Sequence, residues 1–256
     1  MAKYIAKRIF YALITIFVLI SLTFLMMHLL PGEPFLGDKA MSEATKQAMR
    51  VKYGLDQPVL TQYINYIGSV LHGDLGTSIT SNRPVSTIIM ESFPISFDLG
   101  VRAIILAVVF GIGLGSLAAI KRGRKADTFA MLVAVIGVSV PSFIIAALLQ
   151  FFIALKLGQS LGTYIFPVSG WTTFASKILP PIALSFGSMA TISRLMRTSM
   201  LDVLSSDYIK TAKAKGLSQK LIVWRHAIRN AVMPVITVLG PITASVLTGA
   251  FVVEKV

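Results

Sequence analysis

The sequence of 256 residues contains no cysteine and few charged side chains. The absence of cysteine excludes disulfide scaffolds, thiolate metal sites and cysteine nucleophiles. Only 14% of the residues are charged and 55% are hydrophobic, whereas soluble domains carry about 25% charged residues. A water-soluble fold cannot bury so much apolar surface, and disorder, coiled coil and collagen are excluded by the same composition. The chain is therefore predicted to be an integral membrane protein.

Sequence motifs for catalysis are also absent. The chain has no G-x-x-x-x-G-K-[ST] run, no H-E-x-x-H and no G-x-S-x-G. Its three histidines, His28, His72 and His226, are far apart in the sequence, so a shared metal site is not expected. We therefore predict a chain that is not an enzyme and that binds no cofactor or metal itself.

Five apolar runs predict membrane-spanning helices, because roughly 20 apolar residues cross a bilayer core. The third run contains Gly137 and Pro141, which indicate a kink or a break, and the fourth begins at Pro180-Pro181, which suits a first helical turn. The runs cover residues 9–30, 99–120, 128–155, 178–196 and 231–253. This pattern predicts an all-α, polytopic helix bundle.

The basic residues predict the orientation of these spans. With the N-terminus in the cytoplasm, segments 1–8, 121–127 and 194–230 are cytoplasmic and hold 15 of the 24 Lys and Arg residues. The short external loop 156–177 holds only two. This asymmetry follows the positive-inside rule, so the net charge of +13 needs no nucleic-acid partner. We predict a multi-pass protein of the plasma or inner membrane with a cytoplasmic N-terminus.

Three regions of different character follow from this topology: 1–30, the cytoplasmic N-terminus and first span; 31–94, an extracytoplasmic insert; and 95–256, the core spans. Within the insert, helices are predicted over 42–53 and 58–71, followed by a turn over 73–76. The insert is interpreted as a cap over the spans, or alternatively as a docking surface for an external partner.

The cytoplasmic loop at about 201–230 has the most distinctive pattern. A helix is predicted over 207–215 with Ser206 or Asp207 as its N-cap, Gly216 as its stop, and Ser218 as the cap of a second helix over 219–230. Eight basic residues between Arg194 and Arg229 could anchor the loop on anionic lipid. Ala212, Ala214 and Gly216 favour a second interpretation, in which small residues let a partner surface approach closely.

The spans contain few polar or small residues that would indicate a transport pathway. Asp98 and Arg102 are spaced i,i+4 and are predicted to form a local ion pair. Gly111, Gly113 and Gly115 give the second span a smooth face, which favours close helix packing over a pore-lining surface. The chain is thus predicted to be a transport subunit without an energy source of its own.

The loop sequence resembles that of a known family. Residues 205–218, SSDYIKTAKAKGLS, resemble the EAA loop of ABC-importer permeases, most closely the oligopeptide/dipeptide/nickel branch. Lys210, Thr211 and Ala212 replace the Glu-Ala-Ala of the general pattern, and Ile228 and Arg229 replace its Leu-Pro. Further blocks match in the family's order at 30–34, 53–58, 73–76, 138–143, 225–231 with Met233-Pro234, and 249–256. Permeases of this branch continue into a sixth span, so we expect the protein to extend some 50 residues past Val256 and to form that span there.

The resemblance implies an import complex in which two related permeases form the pathway. Two ATP-binding subunits, which hold ATP and Mg, power it from the cytoplasm, and an extracytoplasmic binding protein delivers oligopeptides. Dipeptides, nickel chelates and glutathione are alternative cargoes, and an uncoupled channel or carrier is the alternative of another class. The residues implied in ATPase coupling are Asp207, Tyr208, Thr211, Ala212, Lys213, Ala214, Lys215, Gly216 and Leu217; those assigned to the substrate pathway are Gly111, Gly115, Pro141, Ser142 and Glu254.

Overall fold

A computed structural model describes residues 1–30, 47, 50–51, 54–78 and 81–248. These residues form helices, turns and one isolated bridge between Thr77 and Pro84. The helices are α1 Ala2–Leu29, α2 Val59–Leu71, α3 Val85–Ile120, α4 Lys125–Ser139, α5 Ser142–Leu161, α6 Leu179–Ser205, α7 Asp207–Ala214, α8 Gln219–Ala231 and α9 Met233–Thr248. The predicted all-α fold is confirmed. Over the described ranges, α1, α3, α5 and α6 with its preceding turn are long and apolar enough to span a membrane, and α8 with α9 adds a fifth span if they count as one bent helix.

The chain divides into two compact units, Met1–Glu91 and Ser92–Val256. In the first unit, α1 contacts α2 through polar and aromatic side chains. The hydroxyls of Ser21 and Tyr63 lie 2.6 Å apart, and His28 Nε2 lies 3.0 Å from Gln62 Oε1. The Phe24 ring packs against Tyr63 and Tyr66.

The predicted helix over 58–71 is confirmed as α2, with Pro58 at its N-cap. The predicted turn is also confirmed, since Gly73 and Gly76 have positive φ and the Gly76 amide donates to Asp74 Oδ1 over 2.8 Å. The helix predicted over 42–53 falls largely outside the described residues, and the division into three regions stays a prediction.

In the second unit, α6 is the central helix and contacts α4, α5, α7, α8 and α9. Its small side chains permit this, because Ala183, Ser185, Ala190 and Ser193 are all buried. Two apolar clusters form around it. One, near α7 and α8, contains Ile192, Met196, Met200, Ile209, Ile222 and Ala227 among others, and the second, towards the other end of α6, contains Leu99, Ala103, Ile145, Ala183 and Val246.

Breaks in the helices occur where proline or an extra residue disturbs the backbone. The predicted break of the third apolar run is confirmed: Val140 is extended and Pro141 caps α5. A bend of 49° separates α8 from α9. Two π-helical segments, Gln150–Lys156 in α5 and Ile222–Ala227 in α8, have no signal in the sequence pattern.

Candidate functional site: the α7–α8 hairpin

The candidate site is the hairpin made of α7, the turn at residues 215–218, and α8. Both predicted helices are confirmed, with α7 ending at Ala214 and α8 at Ala231. Ser218 Oγ accepts a hydrogen bond from the Leu221 amide over 3.4 Å, as expected for an N-cap. Ser206 occupies the N-cap position of α7, but its hydroxyl instead donates to the Val203 carbonyl.

The turn after α7 is a Schellman motif centred on Gly216. The Gly216 amide donates to the Lys213 carbonyl, and the Leu217 amide donates to the Ala212 carbonyl. Gly216 has a φ of +77°, which favours glycine, and a Cβ at this position would meet no heavy atom of the described residues within 4 Å. The predicted stop is therefore confirmed, and the requirement for glycine that the described residues show is its backbone conformation.

One side of α7 holds the hairpin together. Ile209 and Ala212 are buried and belong to one cluster with Met200 of α6 and with Ile222 and Ala227 of α8. Of the two alanines predicted to let a partner surface approach, Ala214 is exposed whereas Ala212 is only 7% exposed. Residues two positions apart lie on nearly opposite sides of an α-helix. Ala212 thus packs against the core, on the side of α7 that faces α6 and α8.

The other side of α7 is an exposed surface, here called the outer face of α7, made of Asp207, Tyr208, Lys210, Thr211, Lys213, Ala214 and Lys215. Lys210 Nζ pairs with Asp207 Oδ1 over 2.8 Å. Lys213 and Lys215 have no ion pair within the part of the chain that the structure describes. Leu217 is partly buried at the edge of the cluster. A rigid, short, basic surface of this kind can dock onto another protein; its side chains include no nucleophile paired with a base.

A hydrogen bond links the two arms of the hairpin. Asn230 Nδ2 donates to the Tyr208 hydroxyl over 3.1 Å and also to the His226 carbonyl over 2.9 Å. The start of α7 is thereby fixed to the end of α8. Because α8 leads into α9, the hairpin is directly continuous with the second half of the bent pair α8–α9.

An ion pair between a buried carboxylate and a partly exposed arginine joins α4 to α6 and was not predicted from the sequence. Arg197 of α6 donates through Nε and Nη2 to the two carboxylate oxygens of Asp127, over 2.7 and 2.8 Å. The Gly123 amide donates to the same carboxylate, and the Asp127 side chain is only 8% exposed. The one available signal was that Asp127 is the only acid in the basic segment 121–127.

A second ionic cluster lies towards the opposite end of α6. The predicted Asp98–Arg102 pair is confirmed at 2.7 Å, and Lys177 adds an unpredicted contact to Asp98 at 3.3 Å. Beside it is a largely apolar cleft of about 340 Å³, whose lining includes Leu99, Gln150 and Trp171.

Four of the five residues assigned to the substrate pathway lie in the part of the chain that the structure describes, and their assignment stays a prediction. A Cβ on Gly111 would lie 2.8 Å from Ile192, and one on Gly115 would lie 2.4 Å from the Ser193 carbonyl oxygen. Both glycines are therefore buried against α6, as the packing interpretation expected, whereas Gly113, which that interpretation also included, is exposed. Pro141 and Ser142 form the break before α5, and Glu254 lies outside the described residues.

The chain is similar to membrane components of binding-protein-dependent transport systems. The family described as "Binding-protein-dependent transport system inner membrane component" matches residues 111–256, and the family of its N-terminal region matches residues 1–100. The chain is 46% identical to the dipeptide transport system permease protein DppB of Bacillus subtilis, across 100% of this chain and 82% of that protein. It is 40% identical to the oligopeptide transport system permease protein OppB of Salmonella typhimurium, across 100% of this chain and 83% of that protein.

Proposed function

Since the chain belongs to the family of binding-protein-dependent transport system inner membrane components, we propose that it is one permease subunit of an ATP-driven importer of peptides. The similarity to a dipeptide and an oligopeptide transport system permease protein supports a peptide as the cargo. Oligopeptides are our first choice, with dipeptides, nickel chelates and glutathione as alternatives within the same branch.

The α7–α8 hairpin is the proposed coupling element, and its two-sided construction is the observation that carries this proposal. Ile209 and Ala212 fix α7 to the core around α6, while its outer face stays exposed. A helix that is rigidly mounted on the spans but open on its outer side can transmit force from a docked partner. We assign that partner as an ATP-binding subunit, with Asp207, Tyr208, Thr211, Lys213, Ala214, Lys215 and Gly216 at the contact and with Ala212 and Leu217 as its support.

The energy source lies outside this chain in our proposal. Two ATP-binding subunits hold ATP and Mg, a second homologous permease completes the pathway, and an extracytoplasmic protein delivers the peptide. The excess of Lys and Arg in segments 1–8, 121–127 and 194–230 supports a cytoplasmic N-terminus and a cytoplasmic hairpin. Closure of the ATP-binding subunits would then move α7, and α6 and α9 with it.

The test substitutes Gly216. Its two proposed requirements, the left-handed backbone conformation and the close approach of a partner, can be tested separately. Asn tolerates the left-handed conformation, so Gly216→Asn should leave the Schellman turn intact. If α7 sits in a groove of an ATP-binding subunit, Gly216→Asn weakens retention of that subunit and Gly216→Leu weakens it more. Both variants should still insert in the membrane. The measurements are the amount of ATP-binding subunit that copurifies with the tagged chain and the peptide-stimulated ATP hydrolysis of the complex.

Gly162 provides the matched control, because it ends α5 with a φ of +68° and also has open space around it. Gly162→Leu carries the same backbone strain away from the hairpin and should keep the ATP-binding subunits. Wild-type assembly and hydrolysis by Gly216→Leu would contradict the coupling assignment. A chain that purifies without any ATP-binding subunit and still conducts peptide would favour the uncoupled channel or carrier.

A further inference from the structure

The α8 arm of the hairpin has an exposed face with a composition different from that of α7. Trp224 is 73% exposed and Leu221 is 38% exposed. Lys220, Arg225 and Arg229 are exposed on the same helix. The whole of α8 contains no acidic residue. We call Lys220, Leu221, Trp224, Arg225 and Arg229 the basic–tryptophan face of α8.

The remaining side of α8 is already occupied. Ile222, Val223, Ala227 and Ala231 are buried in the cluster that joins α8 to α6 and α7. None of Lys220, Arg225 and Arg229 forms an ion pair with a described residue. The apolar ring of Trp224 and three positive charges thus point away from the chain together.

The predicted fifth span begins at residue 231, and with this span the bend between α8 and α9 puts the basic–tryptophan face close to a membrane surface. An α-helix rises about 1.5 Å per residue, and an inclination of 49° reduces the advance along the axis of α9 to about 1 Å per residue. Arg225 and Arg229 therefore lie within about 8 Å of the start of α9 along that axis. The polar headgroup layer of a bilayer is about as thick as this distance.

From charge, composition and position together, we infer that the basic–tryptophan face of α8 binds the anionic phospholipid headgroups of the leaflet on its own side of the membrane. Tryptophan prefers the boundary between headgroups and acyl chains, and each Lys or Arg near an anionic surface adds to the attraction. The hairpin then divides its contacts: α7 faces a protein partner, while α8 holds the base of the hairpin at the lipid surface. The lipid assignment does not depend on the ATPase assignment of α7.

The chain has only two tryptophans, Trp171 and Trp224, so its own fluorescence can test this inference. In the Trp171→Phe variant, Trp224 is the sole tryptophan. The full chain is reconstituted in phosphatidylcholine vesicles that contain a small fraction of either brominated phosphatidylglycerol or brominated phosphatidylcholine. We expect the anionic brominated lipid to quench Trp224 more strongly at equal mole fraction. The Trp224→Phe variant reports Trp171 and should show no such preference.

Charge removal tests the cause of the preference. In the Trp171→Phe background, Arg225→Gln with Arg229→Gln should lower the selectivity for the anionic lipid by about fivefold per residue. The matched variant Lys213→Gln with Lys215→Gln removes the same charge from α7 and should leave the selectivity unchanged. Lys220→Gln, at the exposed start of α8, serves as the second variant if the double change in α8 fails to fold.

Three results would overturn the inference. Equal quenching by the two brominated lipids would remove the preference for anionic headgroups. A blue shift of Trp224 emission with loss of lipid quenching on addition of the ATP-binding subunits would assign this face to those subunits. Trp224 emission could also be independent of the lipid and change with the number of chains per vesicle. That result would instead assign the basic–tryptophan face to contact with a neighbouring permease.

Discussion

At the scale of single residues, the Asp127–Arg197 pair joins α4 to α6. The Asp127 carboxylate is nearly buried and receives three hydrogen bonds, two of them from Arg197. Removal of the guanidinium leaves a buried carboxylate with a single donor. We therefore expect Arg197→Gln to lower the free energy of unfolding by about 3 kcal/mol, measured by thermal unfolding in detergent or nanodiscs.

Arg102→Gln is the control for this prediction. Its partner Asp98 is about one-third exposed and keeps its contact with Lys177, so the expected loss is below about 1 kcal/mol. Equal losses of unfolding free energy for the two arginine variants would mean that the Asp127 pair stabilises the fold no more than the more exposed Asp98 pair does.

Gly115 and Gly113 lie two positions apart in α3 and make a matched pair. A Cβ on Gly115 would lie 2.4 Å from the Ser193 carbonyl oxygen, whereas one on Gly113 would meet nothing within 4 Å. We expect Gly115→Ala to separate α3 from α6 at a cost of about 1–3 kcal/mol. Gly113→Ala should keep or slightly raise stability through its better helix propensity. Both effects are read as shifts in the midpoint of thermal unfolding, and a stable Gly115→Ala variant would contradict the close packing.

At the scale of elements, the two sides of α7 should respond differently to substitution. Ile209→Ala removes a fully buried side chain and should cost about 2–5 kcal/mol, seen as faster hydrogen exchange of the α7 amides. Lys213→Ala alters only the outer face of α7 and should change stability by less than about 0.5 kcal/mol. In our proposal it nevertheless weakens retention of the ATP-binding subunit. If both variants retained the ATP-binding subunit, the proposed role of α7 in energy coupling would be contradicted.

Local signals in the sequence are sufficient to predict where the helices of the hairpin begin and end, but not which residues they pack against. Ser218, Gly216 and Pro141 act on their own backbone neighbourhoods, so their effects can be predicted without a fold. The partners of Asp127 and Asp98 could not be predicted in the same way, because Arg197 and Lys177 lie 70 and 79 residues away in the sequence. The burial of Ala212 depends likewise on where α6 and α8 lie.

At the scale of the whole molecule, the orientation in the membrane is a prediction from charge. The chain contains no cysteine, so a single introduced cysteine reports its own side without interference. Thr172 and Ser205 are exposed and lie before and after the predicted fourth span. Thr172→Cys should react with an impermeant maleimide in intact cells, or in spheroplasts if an outer membrane is present. Ser205→Cys should react only after the membrane is permeabilised, and the reverse pattern would invert the topology.

The π-helical segment Ile222–Ala227 is a place where the chain can change in length without turning the rest of the molecule. A π turn closes its hydrogen bond over one residue more than an α turn, so it takes up a surplus residue within nearly the same rotation. Deletion of a single residue there would let α8 wind as an ordinary α-helix and would leave the orientation of α9 about its own axis nearly unchanged. Val235 and Val246, which α9 buries, would still face the core. The same deletion near the start of α9 would instead turn the residues after it by about 100°.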